Sequence, residues 1–409
     1  TNYHRKQLNR LNNIIYNSSI SQKVEKIREL AFIKEPRIKS LSQEAISRYL
    51  HQEIEKEYPD IKMEHDRKTL LTFGFIKETL DLKSTLLSLY DEQVGAFYDV
   101  NKKTLFTNNN LPFSQLTYGA ILAHEMTHAL QDQHYEIDRL LNSEALDNND
   151  DAKLAAQALI EGDATLVMQL YYTKSFNIDL LWDVLTFFFM DHHNLNNAPG
   201  IIRENMLFPY TYGNSFVLSL YAKNGWKAVN DAYLNPPTST EQIMHPERFL
   251  QHEDNSLLLH VPLPQLDEIF TNHIMIANNT LGEFNIHQLF KHYLGLQAKT
   301  SYSEGWGNDR FQIWEHTPDK HLDLIWVSVW DTQNDCVEFY RACIQIVKIK
   351  YPDAHLIFTD DSRASWLSSK NTISILKSEH IVVYIEAKDP NNLQQVLDMI
   401  FVDQKDSSL

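Results

Sequence analysis

Two histidines four positions apart, His124 and His128, stand inside an apolar stretch, and no other segment constrains the fold as strongly. Ala120, Ile121, Leu122, Ala123, Ala129 and Leu130 surround them, so residues 117–134 read as one long, buried helix. Four residues at ~100° each bring a side chain back to nearly the same face. Both imidazoles can therefore reach one ion. Glu125, next to the first of them, is placed to take a proton from a water without binding metal itself. The pattern His-Glu-x-x-His also arises in helices whose histidines merely find hydrogen-bond partners, so a third ligand decides the matter.

Two residues compete for that place. His134 lies ten positions after His124. A helix running on past Gln131 would carry it ~80° off the His124 face and almost three turns away. Glu161, in Ala158-Leu159-Ile160-Glu161-Gly162-Asp163-Ala164, sits on a second apolar helix expected over residues 152–172. A buried carboxylate needs a partner, and Gly162 and Ala164 allow a close helix approach. Asp163 and Thr165 are candidates for orienting a ligating histidine. Glu161 is the preferred ligand, with Zn2+ as the expected ion and water in the fourth position.

His-Glu-Met-Thr-His followed by Glu-Gly-Asp-Ala resembles the gluzincin group of zinc metallopeptidases, in which two histidines and a downstream glutamate bind zinc. The second motif is similar to that of aminopeptidase-type gluzincins. Pro209-Tyr210-Thr211-Tyr212-Gly213 resembles the PYxxG segment that follows the metal helices there, whose tyrosine stabilises the oxyanion. The resemblance gives that role to Tyr210. Tyr212 is its rival, and a plain core aromatic beside Phe208 is the other reading. His245 is a further candidate for the cleft, with a structural role as its alternative. The metzincin pattern HExxHxxGxxH, which would favour His134, has Gln131 where its glycine should be. Residues 90–250 also resemble a set of bacterial proteins, often exported, through Gln93-Val94, Phe97-Tyr98-Asp99, HExTHALQDQH, EGDAT, FPYxYG and PPTSTEQIxHP. The gap from His128 to Glu161 is longer than in aminopeptidase and thermolysin-like branches, and no GxMEN-like segment grips a substrate amino terminus. These departures favour an endopeptidase acting on peptide or protein substrates. A catalytically silent binding or scaffold protein that keeps the zincin fold is the alternative, and the intact Glu125 argues against it.

A chain of 409 residues is too long for one ordinary core. The expected fold class is α+β, in three parts: a helical region over residues 1–85, a zincin-like catalytic domain over 86–260 and a C-terminal α+β domain over 261–409. Within these, residues 1–80 read as helical, with Leu70–Leu89 as their last helix. Residues 92–108 read as a hairpin whose segment Gln93–Tyr98 is an edge strand able to align an extended peptide. The C-terminal domain reads as strands at Phe311–Trp314 and Leu322–Trp330, a helix at Asp335–Lys350, a hairpin over residues 372–385 and a last helix at Leu393–Phe401, in a ferredoxin-like layer. Residues 305–310 read as a tight turn packed between domains. A formal net charge of -17 with no basic cluster speaks against a nucleic-acid partner. The longest apolar run, Leu180–Met190, is too short to span a bilayer and reads as a buried helix, so no integral membrane segment is expected. Cys336 and Cys343, two turns apart on one helix face, are too distant for a disulfide and read as buried thiols. The chain begins at Thr1 without an apolar leader, which fits an exported protein with its signal removed, and a cytoplasmic one as well.

Overall fold

The structure, a computed structural model, describes residues 17–92, 95–108, 115–173, 193–251 and 263–406. Leu180–Met190, Gln93 and Val94 lie outside them. The class is α+β, with a three-stranded sheet and an antiparallel seven-stranded sheet among many helices.

The chain enters through a helix over residues 17–28 (α1). The region expected to be helical then contains a strand, β1 (Arg37–Leu41), which pairs in parallel with the distant β3 (Thr104–Asn108). No local periodicity in five residues announces a partner so far along the chain. Ser42 caps α2 (Gln43–Glu57), its side chain accepting from the Ala45 N–H. Helix α3 (Asp60–Phe73) stops at Gly74, which takes φ +80° and ends the helix inside the stretch read as Leu70–Leu89. A Cβ at Gly74 would also strike the Tyr293 hydroxyl. Helix α4 (Leu82–Glu92) follows, then the expected hairpin of β2 (Ala96–Asp99) and β3.

The long helices that hold the candidate site come next. They are α5 (Gln115–Tyr135), α6 (Asp150–Thr173) and α7 (Gly200–Leu234), the last broken by non-helical backbone at Asn224 and Gly225. Asn149 caps α6 by accepting from Ala152 N–H. Helices α6 and α7 touch backbone to backbone. A Cβ on Gly162 would lie 2.2 Å from the Gly213 carbonyl oxygen, and one on Gly213 would lie 2.2 Å from that of Ala158. The glycine beside Glu161 thus serves the approach of α7, not of α5 as the motif suggested. Backbone atoms cannot step aside as a flexible side chain can, so Gly162→Ala must push the two helices apart. Overpacking of this kind costs about 1–3 kcal/mol, more than the ~1 kcal/mol that alanine gains over glycine in a helix. The expected result is a lower urea midpoint for Gly162→Ala. An unchanged or raised midpoint would show that the helices separate freely.

The seven-stranded sheet runs in the order β4 (His273–Asn279), β5 (Trp306–His316), β6 (Leu322–Trp330), β10 (Ile381–Ala387), β9 (Thr372–Ser378), β8 (Arg363–Leu367), β7 (His355–Thr359). Helices α8 (Gly282–Leu294), α9 (Gln333–Lys350) and α10 (Pro390–Asp406) accompany it. A ferredoxin-like layer would place helix-linked strands parallel with another strand between them. Here β4 and β5, linked through α8, pair directly and antiparallel, as all neighbours in this sheet do. The Trp306–Arg310 segment is the start of β5 rather than a turn. Its Asp309 is buried and accepts from the Leu281 and Gly282 backbone N–H groups and the Trp306 and Trp326 indoles. Cys336 and Cys343 are free and buried on α9.

One apolar core gathers α5, α6 and α7 with Ile20 and Val24 of α1 and Ala96 and Leu105 of the small sheet. A second fills the space between the large sheet and α8 and α9, and takes in Met63, Phe73, Leu82 and Leu89 from the N-terminal helices. A third covers the opposite face of the sheet beneath α10.

Candidate metal centre

Helix α5 delivers its two histidines as its spacing implies. Their Nε2 atoms lie 3.0 Å apart, with the rings nearly perpendicular at 86°. From α6, Glu161 Oε2 comes within 3.1 Å of His124 Nε2 and 3.4 Å of His128 Nε2. One ligand atom from each of the three residues falls within 4.8 Å of the others. Two imidazole nitrogens and a carboxylate converging on one point form a donor set that suits a divalent ion of the zinc type. The His124 side chain is 2% exposed and Glu161 24%, so the cluster is closed on the α5 side and open beside Glu161. Helix α5 continues unbroken through Gln131, so His134 turns outward and its Nε2 meets the Ala31 carbonyl at 2.8 Å. It takes no part in the cluster.

The electrostatics follow from this packing. Burial lowers the proton affinity of His124 and outweighs the pull of Glu161, which favours the neutral imidazole that ligates metal. Burial opposes charge on His128 too, but there the Glu161 carboxylate wins and raises its pKa to about 9. Glu161 is itself held well below the usual carboxylate range; burial resists this, and His128 and His124 overcome it. Glu125 is buried and stands outside the ligand triad. Burial, with repulsion from Glu161, pushes its carboxyl up to about 8, against the attraction of His128 and a hydrogen bond from the Tyr98 backbone N–H. A carboxyl that titrates near neutrality is suited to giving and taking protons.

Tyr210 reaches the cluster from α7. Its ring stacks at 6.3 Å from that of His124, and its hydroxyl is hydrogen-bonded to Glu161. Burial and the Glu161 and Glu125 carboxylates hold the phenol well above 10, so it remains a donor. Pro209 lies inside the helix, and Gly213, one turn beyond Tyr210, makes the close crossing with α6. Tyr212 faces elsewhere, 40% exposed, stacked on Phe208 and edge-on to Phe284. His245 pairs with the buried Glu283 at 3.0 Å. Its motif serves to join α6 to the C-terminal part, since Thr240 bonds Asp151 at the start of α6 and accepts from the Phe284 N–H.

A supporting layer behind His128 was read in the sequence only at Asp163. Gln131 Oε1 meets His128 Nδ1 at 2.8 Å, and Gln131 Nε2 donates to the Ile160 carbonyl and to Asp163 Oδ2. Asp163 reaches His128 only through Gln131; Thr165 Oγ1 is buried with no hydrogen-bond partner among the described residues. Arg28 of α1 pairs with Asp163 at 2.8 Å, both side chains fully buried. The available signal was the presence of Gln131 and Asp163 in otherwise apolar helical surroundings, where a polar group must be satisfied.

Strand β2 forms one edge of the three-stranded sheet, whose order is β1-β3-β2. The Tyr98 backbone N–H that reaches Glu125 belongs to this strand, which places the edge beside the cluster. Among the described residues no helix is long and apolar enough to cross a membrane.

Residues 272–397 match the model of a family described as a domain of unknown function, DUF8575. That segment spans the large sheet and its helices and leaves the His124, His128 and Glu161 cluster outside. No curated protein and no solved structure matches the chain.

Proposed function

We propose that the protein is a zinc-dependent peptidase, with an endopeptidase action on extended peptide segments. The observation that carries this reading is the meeting of His124, His128 and Glu161 with the buried carboxyl of Glu125 beside them and a hydroxyl donor, Tyr210, at the rim. Zinc held by the three residues would polarise a carbonyl and lower the pKa of water. Glu125 takes the proton from the attacking water and returns it to the leaving amine. Tyr210 donates to the oxygen on which negative charge develops. The outer edge of β2 aligns the peptide by strand addition; the reach of its Tyr98 N–H to Glu125 supports this use.

Metal analysis of the purified chain tests the reading. About one zinc per molecule is expected, lost on chelation; folded protein that takes up no zinc from excess metal would end it. Glu161→Ala removes one of three protein ligands and is expected to weaken zinc binding at least ~10-fold. His134→Ala, which removes a ring that meets the Ala31 carbonyl away from the cluster, is expected to leave zinc affinity unchanged. The reverse pattern would return His134 to the ligand set.

A further inference from the structure

The hydrogen bonds around Gln131 leave its amide one orientation. The nitrogen faces two acceptors, the Ile160 carbonyl at 2.9 Å and Asp163 Oδ2 at 3.1 Å. Turned over, the amide would set its oxygen against both of them. The oxygen is therefore committed to His128 Nδ1, 2.8 Å away. Because that oxygen can only accept, Nδ1 carries hydrogen. The lone pair of the neutral ring is then left on Nε2, the nitrogen that faces His124 and Glu161.

Asp163 is in turn held in place. Its Oδ1 accepts from Arg28 Nε at 2.8 Å and its Oδ2 from the Tyr233 hydroxyl at 2.9 Å. The Arg28 guanidinium lies over the Trp226 ring at 4.4 Å. A carboxylate beside a buried guanidinium stays an acceptor, which fixes which end of the amide it attracts. A backbone carbonyl behind a ligating histidine can only accept. An amide side chain has two ends, and here Asp163 chooses between them.

We propose that Gln131 is a positioning residue for metal binding, locked by Asp163 and Arg28 so that it holds His128 in the tautomer whose Nε2 ligates. The inference rests on the metal-centre reading above. Its consequence is that α1, far from the motifs in sequence, sets zinc affinity through Arg28.

The test is the zinc dissociation constant of the full chain, measured by competition with a chromophoric chelator, with the thermal midpoint followed alongside. Gln131→Leu is expected to weaken zinc binding by ~10–100-fold. Gln131→Glu keeps the shape and an acceptor for His128 but turns an oxygen toward Asp163, so it should bind zinc weakly as well. Adding Asp163→Asn to Gln131→Glu provides an amide donor for the new carboxylate, which still faces the Ile160 carbonyl, and is expected to recover part of the lost affinity, a rescue that loss of folding cannot mimic. Isotope-edited histidine NMR of the zinc-loaded wild type should place the hydrogen of His128 on Nδ1. Wild-type affinity in Gln131→Leu, a double variant no tighter than Gln131→Glu, or metal on Nδ1 of His128 would each overturn the lock while leaving the metal centre standing. A wild-type chain that binds no zinc would overturn both.

Discussion

Replacing Glu125 by glutamine is expected to leave zinc content unchanged and to remove nearly all hydrolysis. The carboxylate is not among the three converging ligands, so metal binding has no need of it. Its chemical asset is a proton affinity raised by burial to about 8, and an amide has no proton to exchange in that range. Positioned general base catalysis is worth ~10²–10⁴-fold, and the same group also orients the attacking water. Glutamine keeps the volume and an oxygen that can accept from the Tyr98 N–H, so the fold is expected to hold. The measurement is turnover of a mixed peptide or denatured-protein substrate by both forms, alongside metal analysis. Equal inertness of wild type and Glu125→Gln on every substrate would hand the site to a silent zincin-fold binding protein.

Tyr210→Phe is expected to lower kcat by ~10²–10³-fold with KM nearly unchanged. One hydroxyl is lost, and the hydrogen bond it makes to the reacting oxygen strengthens only as charge develops there. In the resting site the hydroxyl bonds Glu161, so its loss also frees that carboxylate without removing a ligand. The ring remains to stack on His124. Tyr212→Phe, whose ring packs on Phe208 and Phe284 away from the cluster, is the control and is expected to keep full activity. Full activity in Tyr210→Phe would remove the tyrosine from the mechanism.

The parts of this molecule that were legible in sequence are those specified over short distances. Helix α5 was expected over residues 117–134 and runs Gln115–Tyr135, and α6 was expected over 152–172 and runs Asp150–Thr173. Apolar periodicity and the asparagine cap sufficed. The hairpins β2–β3 and β9–β10 were visible because their turns interrupt alternating runs. Strand β7 was invisible for the opposite reason: all five of its residues are exposed, so no alternation marks it. β1 owes its state to a parallel partner more than sixty residues on, and five residues cannot declare such a pairing. At the site, the convergence of His124, His128 and Glu161 followed from spacing plus one motif. The Arg28–Asp163–Gln131 chain did not, because a side chain at 28 and another at 131 meet only after α1 has packed.

The packing of α3 on the large sheet bears on how the chain can be divided. Phe73 meets Phe311 edge-on at 5.0 Å and Trp326 at 5.7 Å, and the Lys350 ammonium donates to the Thr72 carbonyl. A fragment beginning near residue 272, where the family resemblance begins, would carry the sheet away from its own lid. The Phe73 side of Phe311 and Trp326 would then face water, and the Lys350 ammonium would keep Glu386 and the Tyr351 ring but lose the Thr72 carbonyl. Each large aromatic so uncovered forfeits part of the ~1.5–3 kcal/mol of its full burial and adds to an adhesive surface. Dissection of this protein is therefore governed by burial, not by motif order: the N-terminal helices travel with the C-terminal sheet.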